Sequence, residues 1–401
     1  MTEPTLPSPQ VGSKGRRRRA GVIGAAVGVA AAGVAAGVAT QRLVTRRARR
    51  SETDLASEPF GRLPFDESLT VRSDDGIDLY VEIVEPSSPD EAGAAPADGG
   101  ATPIDGGATP AEARATSEPV EAGATSRPTV VFVHGFCLDM GTFHFQRRDL
   151  AQAGEHRLVL YDQPGHGRSS KLKIGEYTLD MLGRALGNVI DATVPTGPIV
   201  LVGHSMGGMT IMALAEAHPE LFGPRVVGVV FISTSAGNLE QINLGLPAVL
   251  GRFSRQLVPL ISTTGRAGAG VIDAARRASS DLAWLLTRRY GFGSARADPA
   301  LVSYVERMNG RTSTDVVARY IRALNAHARY PALEALKEID VLAICGDRDQ
   351  LTPLSHSEEI CRMLPKASLV VVPEAGHVAL MEYPDIVTDA IAEFLDELMP
   401  P

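Results

Sequence analysis

The stretch Pro198–Gly208 constrains this chain more than any other. Ile199–Val202 is an unbroken apolar, mostly β-branched run of the kind that forms a strand buried on both faces. It leads straight into Gly203-His204-Ser205-Met206-Gly207, and an apolar helical pattern follows through Met209, Ile211, Met212, Leu214 and Ala215. Strand, tight turn and helix around G-x-S-x-G is a specific context for an exposed serine. A Cβ at Gly203 or Gly207 would meet backbone that the sharp turn brings close. The turn would also aim the Ser205 hydroxyl away from the sheet and set the Met206 N–H at a helix N-terminus, where partial positive charge favours an anion. Serine is equally a common N-cap, so distant residues must decide between capping and chemistry.

Two later segments supply them. The apolar run Val341–Cys345 ends in Gly346-Asp347-Arg348-Asp349, with Pro353 beyond, and Leu369–Val372 is followed by Pro373-Glu-Ala-Gly-His377. Reactive groups in open parallel sheets gather beyond the carboxyl ends of strands. Ser205, one of Asp347 and Asp349, and His377 each follow such an end, in the order Ser, Asp, His. A serine near neutral pH needs an imidazole to take its proton and a carboxylate to hold that imidazole in the right tautomer.

The rest of the chain reads as strands alternating with helices. An Asp74-Asp75-Gly76 turn between alternating runs predicts a hairpin starting near Ser68. Strands follow at Thr129–Val133, Arg157–Tyr161 and Val226–Ile232, with helices over Gly141–Ala153, Tyr177–Val194, Ser355–Leu364 and Ile386–Met399. Such alternation implies right-handed crossovers and a mostly parallel sheet, the α/β class, here led by an antiparallel hairpin. Residues 236–331 break the pattern. They hold no convincing strand, and Leu246–Ile261, Val271–Tyr290, Pro299–Asn309 and Thr314–Ala328 carry helical spacing, which predicts an inserted α-helical lid. Its apolar residues, among them Leu246, Leu250, Phe253, Leu257 and Trp284, are candidates to line a pocket, although most of them are expected only to hold the lid together. Residues 85–128 lack aromatics and repeat Asp-Gly-Gly-Ala-Thr-Pro, which predicts a low-complexity insertion within a body spanning 68–401.

The N-terminus is different in kind. A basic tail, 1–19, precedes the uncharged run Ala20–Gln41, and Arg42, Arg46, Arg47, Arg49 and Arg50 follow it. The run is long enough to span a bilayer, although Ala, Gly and Val make each residue's contribution small. It predicts a single-pass membrane anchor of undetermined orientation, with a cleaved signal peptide and secretion as the alternative. Residues 42–67 read as a linker. Residues 1–50 carry +9, so the remainder carries −17, which argues against nucleic acid as partner or substrate. Three cysteines without paired spacing offer neither a disulfide framework nor a metal site.

From Leu69 to the C-terminus, apart from 85–128, the chain resembles the serine α/β-hydrolases of the lipase, esterase and peroxidase-like group. The resemblance rests on His134-Gly135-Phe136, Asp162-Gln-Pro-Gly-His-Gly-Arg-Ser169, Gly203-His-Ser-Met-Gly-Gly208, the form G-x-x-D-x-x-x-P ending at Pro353, and Gly376-His377. It implies an α/β-hydrolase fold with Ser205 as nucleophile, Asp349 rather than Asp347 as the acid, and His377 as the base. It also implies oxyanion amides at Phe136 and Met206, supported by His134, Gly135, Gly203 and Gly207. No metal or cofactor is expected; the substrate would be a small acyl ester, lipids included. The same machinery would serve a thioester, an amide, a C–C bond β to a carbonyl or cofactor-free perhydrolysis, and a catalytically silent binding module is the alternative of another class. His166 and His204 read as structural or pocket-edge residues, and Cys137 as incidental.

Overall fold

The computed structural model describes residues 55, 57–87, 127–239 and 281–399. They build one eight-stranded sheet from β1 (Glu67–Arg72), β2 (Asp78–Val84), β3 (Thr129–Val133), β4 (Leu158–Tyr161), β5 (Ile199–His204), β6 (Val226–Ile232), β7 (Asp340–Gly346) and β8 (Ala367–Val372). The spatial order is β1-β2-β4-β3-β5-β6-β7-β8. β2 is antiparallel to both neighbours and the remaining pairs are parallel. The helices are α1 (His144–Ala153), α2 (Leu179–Thr193), α3 (Met206–Ala217), α4 (Pro299–Arg311), α5 (Thr314–Asn325), α6 (Leu354–Met363), α7 (Ala379–Glu382) and α8 (Pro384–Glu397), with a further helical segment over 281–291.

Strand periodicity divides the core into two layers. Val131, Val133, Ile199 and Leu201 join α2 and α3 on one face, while Val130, Phe132, Val200 and Val202 join α1 and α8 on the other. Burying each such side chain contributes about 1.5–3 kcal/mol. That is why the central strands read as continuous apolar runs rather than alternating ones. β3 lies between β4 and β5, so the chain leaves β3 in opposite directions on successive crossovers. At that switch point the carboxyl ends of β3 and β5 stand side by side, with Val133 paired to Gly203.

Two expectations need correction. The C-terminal part of the 42–67 linker is a strap packed on the body. The Phe60 ring stacks on Tyr304 of α4 at 4.6 Å, the Glu58 carboxylate meets His144 Nε2 at 2.7 Å, and Arg147 donates to the Pro64 carbonyl at 2.7 Å. Two phenylalanines, Phe60 and Phe65, in a short aperiodic segment leave no pattern to read, yet Phe60 anchors the strap. Trp284, among the described residues, packs into the second core layer, and its Nε1–H donates to Ser303 Oγ of α4 at 2.9 Å. It joins the lid helices to the body.

Within the proposed lid, the described residues form helices joined by turns and contain no strand. The expected helix Leu246–Ile261 and residues Leu246, Leu250, Phe253 and Leu257 lie outside the described residues, as do most of 85–128, the basic tail and the candidate anchor 20–41. Among the described residues, no helix is long and apolar enough to cross a membrane.

Candidate active site

Ser205 occupies the turn between β5 and α3 with φ 52 and ψ −116, a conformation that costs on the order of 1–3 kcal/mol for a residue with a side chain. The surroundings over-determine it. Its N–H donates to the Ile232 carbonyl at 2.9 Å, and its own carbonyl accepts from Gly208 N at 3.0 Å and the Thr234 hydroxyl at 2.7 Å. Although Ser205 stands at the N-cap, its side chain makes no capping hydrogen bond. A Cβ at Gly203 would lie 2.6 Å from Ile211 Cδ1 and 2.7 Å from Gly208 N, and one at Gly207 would collide with the Val133 carbonyl.

The structure brings Ser205, His377 and Asp349 together from three strand ends. His377 Nε2 lies 2.9 Å from Ser205 Oγ, and its Nδ1 lies 2.9 Å from Asp349 Oδ2. Asp349 follows β7 and is buried; Asp347, two residues earlier, is exposed. Burial alone would raise the Asp349 carboxyl. The His377 charge and hydrogen bond, together with the Thr352 amide and hydroxyl, outweigh it and hold the group below the usual carboxylate range. Asp349 Oδ1 also accepts from the amides of Leu351 and Thr352, at 2.8 and 2.9 Å. An ionised Asp349 at this distance requires the proton on His377 Nδ1, which leaves the Nε2 lone pair facing the Ser205 hydroxyl.

Beside the serine runs the loop that follows β3. A Cβ at Gly135 would come within 2.8 Å of His204 Nδ1 and 3.2 Å of Ser205 Cβ, so only glycine lets this loop approach. Among the described residues, the amides of Phe136 and Met206 donate to no group. His134 is buried, and burial lowers its imidazole to about 4, which keeps it neutral. Its Nδ1–H donates to the Gly135 carbonyl at 2.8 Å, and its Nε2 accepts from the Gln163 N–H at 2.8 Å. The Gln163 carboxamide donates to the His134 carbonyl and accepts from the Thr210 hydroxyl of α3 at 2.9 Å, which ties this loop to the helix behind the serine.

Sequence reasoning missed Thr352, Gln163 and Thr210. The Thr352 hydroxyl sits 2.8 Å from both Asp349 Oδ2 and the Ser233 carbonyl, serving one of them at a time with its single proton. Their partners lie far away in the chain or in irregular turns, where polar residues carry no periodic signal, so only the three-dimensional arrangement reveals them. Cys137 adjoins the loop, but removal from water pushes its thiol up to about 12, so it stays protonated. No cluster of metal-binding side chains occurs among the described residues.

The fold and site define a hydrolase of the α/β class. Residues 128–384, more than half the chain, match the family model described as the alpha/beta hydrolase fold, and the protein belongs to that family. It is 29% identical over 284 residues to the dihydrolipoyllysine-residue acetyltransferase component of the acetoin cleaving system of Pseudomonas putida, covering 69% of this chain and 65% of that protein. It is 25% identical to the sn-1-specific diacylglycerol lipase ABHD11 of Mus musculus, over 68% of this chain and 82% of the relative. Among solved structures, a thermophilic esterase from Thermogutta terrifontis superposes with a TM-score of 0.57 at 22% identity, covering 84% of this chain and all of that one.

Proposed function

We propose that this hydrolase cleaves a carboxylic ester of a small acyl substrate through an acyl-enzyme intermediate. The observation that carries the reading is the continuous relay from Asp349 through His377 to Ser205, each link 2.9 Å long, beside two unengaged backbone amides. His377 Nε2 takes the Ser205 proton as Oγ attacks the ester carbonyl. The amides of Phe136 and Met206 stabilise the resulting oxyanion, and the imidazolium returns its proton to the leaving alcohol. Water then enters, gives a proton to His377 and attacks the acyl carbon, and the tetrahedral species collapses to the acid as His377 returns that proton to the departing Ser205 Oγ. The name of the mouse relative, a diacylglycerol lipase, supports an ester. Residues 20–41 would tether this activity to a membrane.

A fluorophosphonate probe tests the reading. Labelling of the wild type that is absent in Ser205→Ala, with turnover of at least one member of a panel of p-nitrophenyl esters of graded chain length, is the expected result. A wild-type protein that neither labels nor hydrolyses any ester would instead be a silent member of the fold used for binding.

A further inference from the structure

His166 stands outside the relay yet reaches the oxyanion loop. Its ring is buried, its Nδ1–H donates to the Pro164 carbonyl at 3.0 Å, and its Nε2 accepts the Cys137 N–H at 3.1 Å. Cys137 adopts the left-handed φ of 59, an unfavourable conformation for a residue with a Cβ. That strain persists because the Cys137 amide has a fixed acceptor. The preceding peptide is held in turn by His134, whose Nδ1–H binds the Gly135 carbonyl. In a trans peptide the carbonyl and the next N–H point in opposite directions. Holding the Gly135 carbonyl therefore orients the Phe136 N–H, and holding the Cys137 N–H fixes the far side of Phe136. The two imidazoles lie edge to face with centroids 5.4 Å apart.

We infer that His166 is a positioning residue for the oxyanion hole, clamping the Phe136–Cys137 peptide so that the Phe136 amide stays aimed at the reacting carbonyl. The inference rests on the reading of Phe136 as an oxyanion donor. The clamp extends into the lid: Tyr320 of α5 donates to the same Pro164 carbonyl at 2.8 Å, and its ring lies 5.6 Å from Phe136. The groups facing the imidazole are His134, Tyr320, Phe136 and, through space, Asp139. Burial and then His134 push His166 down to about 3, so the acceptor is intact across the working pH range.

The experiment compares His166→Phe, His166→Gln and His166→Asn with wild type on p-nitrophenyl butyrate. Two inhibitors of matched chain length are used: an alkyl trifluoromethyl ketone, which forms an oxyanion with Ser205, and the corresponding thioether, which has no carbonyl. Removing one oxyanion donor costs roughly 10²–10³ in kcat, and misaiming it costs less. His166→Phe should therefore lower kcat about 10- to 100-fold with KM nearly unchanged. It should weaken the ketone by the same factor and leave the thioether as it was. Gln, whose carboxamide oxygen reaches the Nε2 position, should recover most of the rate, whereas the shorter Asn should not. Wild-type kcat and ketone affinity in His166→Phe, or equal weakening of ketone and thioether, would overturn the inference. Should His166→Phe fail to fold, equal rates for Gln and Asn would overturn it as well. Turnover surviving in Ser205→Ala would sink the proposed function separately, whatever the His166 series shows.

Discussion

His204 Nε2–H donates to the carbonyl of His377 at 3.0 Å, so the residue before the serine holds the main chain of the base. Burial first, and then the nearby His377, push the His204 imidazole down to about 3, and it remains a neutral donor. Its other nitrogen, Nδ1, would lie 2.8 Å from a Cβ placed on Gly135, so the ring also packs against the loop after β3. The turn after β5, the loop after β3 and the loop after β8 thus meet at one imidazole. Ser205, the loop after β3 and His377 are held in register by contacts that are not themselves chemical.

The acid can be tested by exchanging two neighbouring carboxylates. Asp349→Asn should remove most activity, because an amide at Oδ2 favours the wrong His377 tautomer; a loss of roughly 10⁴ in kcat is expected. Asp347→Asn alters an exposed side chain and should change kcat less than about twofold. Steady-state rates for the two variants decide the matter, and reversed phenotypes would place the acid two residues earlier.

The strap makes a stability prediction. Phe60→Ala removes a stacked contact to Tyr304 and an edge contact to Phe145 at 5.9 Å. The loss should be about 2 kcal/mol, with a fall in Tm of roughly 4–8 °C. Turnover of a short ester should stay near wild type, since the strap touches none of the reacting groups. An unchanged Tm would mean that residues 57–66 contribute no packing energy.

Acid should destabilise the protein early. Burial holds His134 at about 4, and His166 and His204 at about 3, all below the ordinary 6.5. The unfolded chain takes up these protons below pH 6.5 and the folded chain does not. Stability is therefore full above about pH 6.5 and declines as pH falls towards 4, at about 1.4 kcal/mol per pH unit for each ring. Urea midpoints should drop steeply between pH 6.5 and 4.5. His166→Gln should make that slope shallower by about 1.4 kcal/mol per pH unit. Asp162, whose carboxyl burial raises to about 7, works in the opposite sense and offsets about one ring, so a profile that His166→Gln leaves unchanged would show that the His166 ring is protonated in the fold.

Much of this was legible in the sequence, for identifiable reasons. Thr129–Val133 and Val226–Ile232 match their strands residue for residue, because a strand buried on both faces must be apolar throughout. Ser205 and His377 could be located because each follows such a strand, whereas the choice of Asp349 over Asp347 needed the G-x-x-D-x-x-x-P resemblance. What escaped was held by contacts between residues far apart in the chain. Thr210 and Gln163 are joined across 47 positions, and Phe60 meets a lid helix through a single ring. Trp284 sits at helical spacing, but periodicity cannot distinguish a ring that faces a pocket from one that faces the core. Tertiary packing made that choice.

The N-terminal segment, outside the described residues, yields a prediction of its own. If residues 20–41 are an uncleaved anchor, full-length protein should sediment with membranes and resist high salt. Purely basic attraction to anionic lipid is screened within about 8 Å at physiological ionic strength. A truncation beginning at Ser51 should stay in the supernatant and hydrolyse short esters at the full rate. Gly28→Arg should cost roughly 2.5–3.5 kcal/mol of insertion free energy and release the chain. Mature protein in the soluble fraction, beginning near Thr40, would instead establish a cleaved signal peptide.

The central claim is that Ser205 carries the acyl group, and rapid-quench mass spectrometry reads this directly. Wild-type protein is mixed with excess p-nitrophenyl ester, stopped in acid within milliseconds, digested and mapped. The account predicts a burst of nitrophenol of about one equivalent if deacylation is the slower step, and an added acyl mass on the peptide containing Ser205. It also predicts that Ser205→Ala shows neither, with kcat lower by roughly 10⁴–10⁶ and an unchanged Tm. Ester hydrolysis that proceeds at the wild-type rate in Ser205→Ala, or an acyl group mapped to another residue, would contradict it.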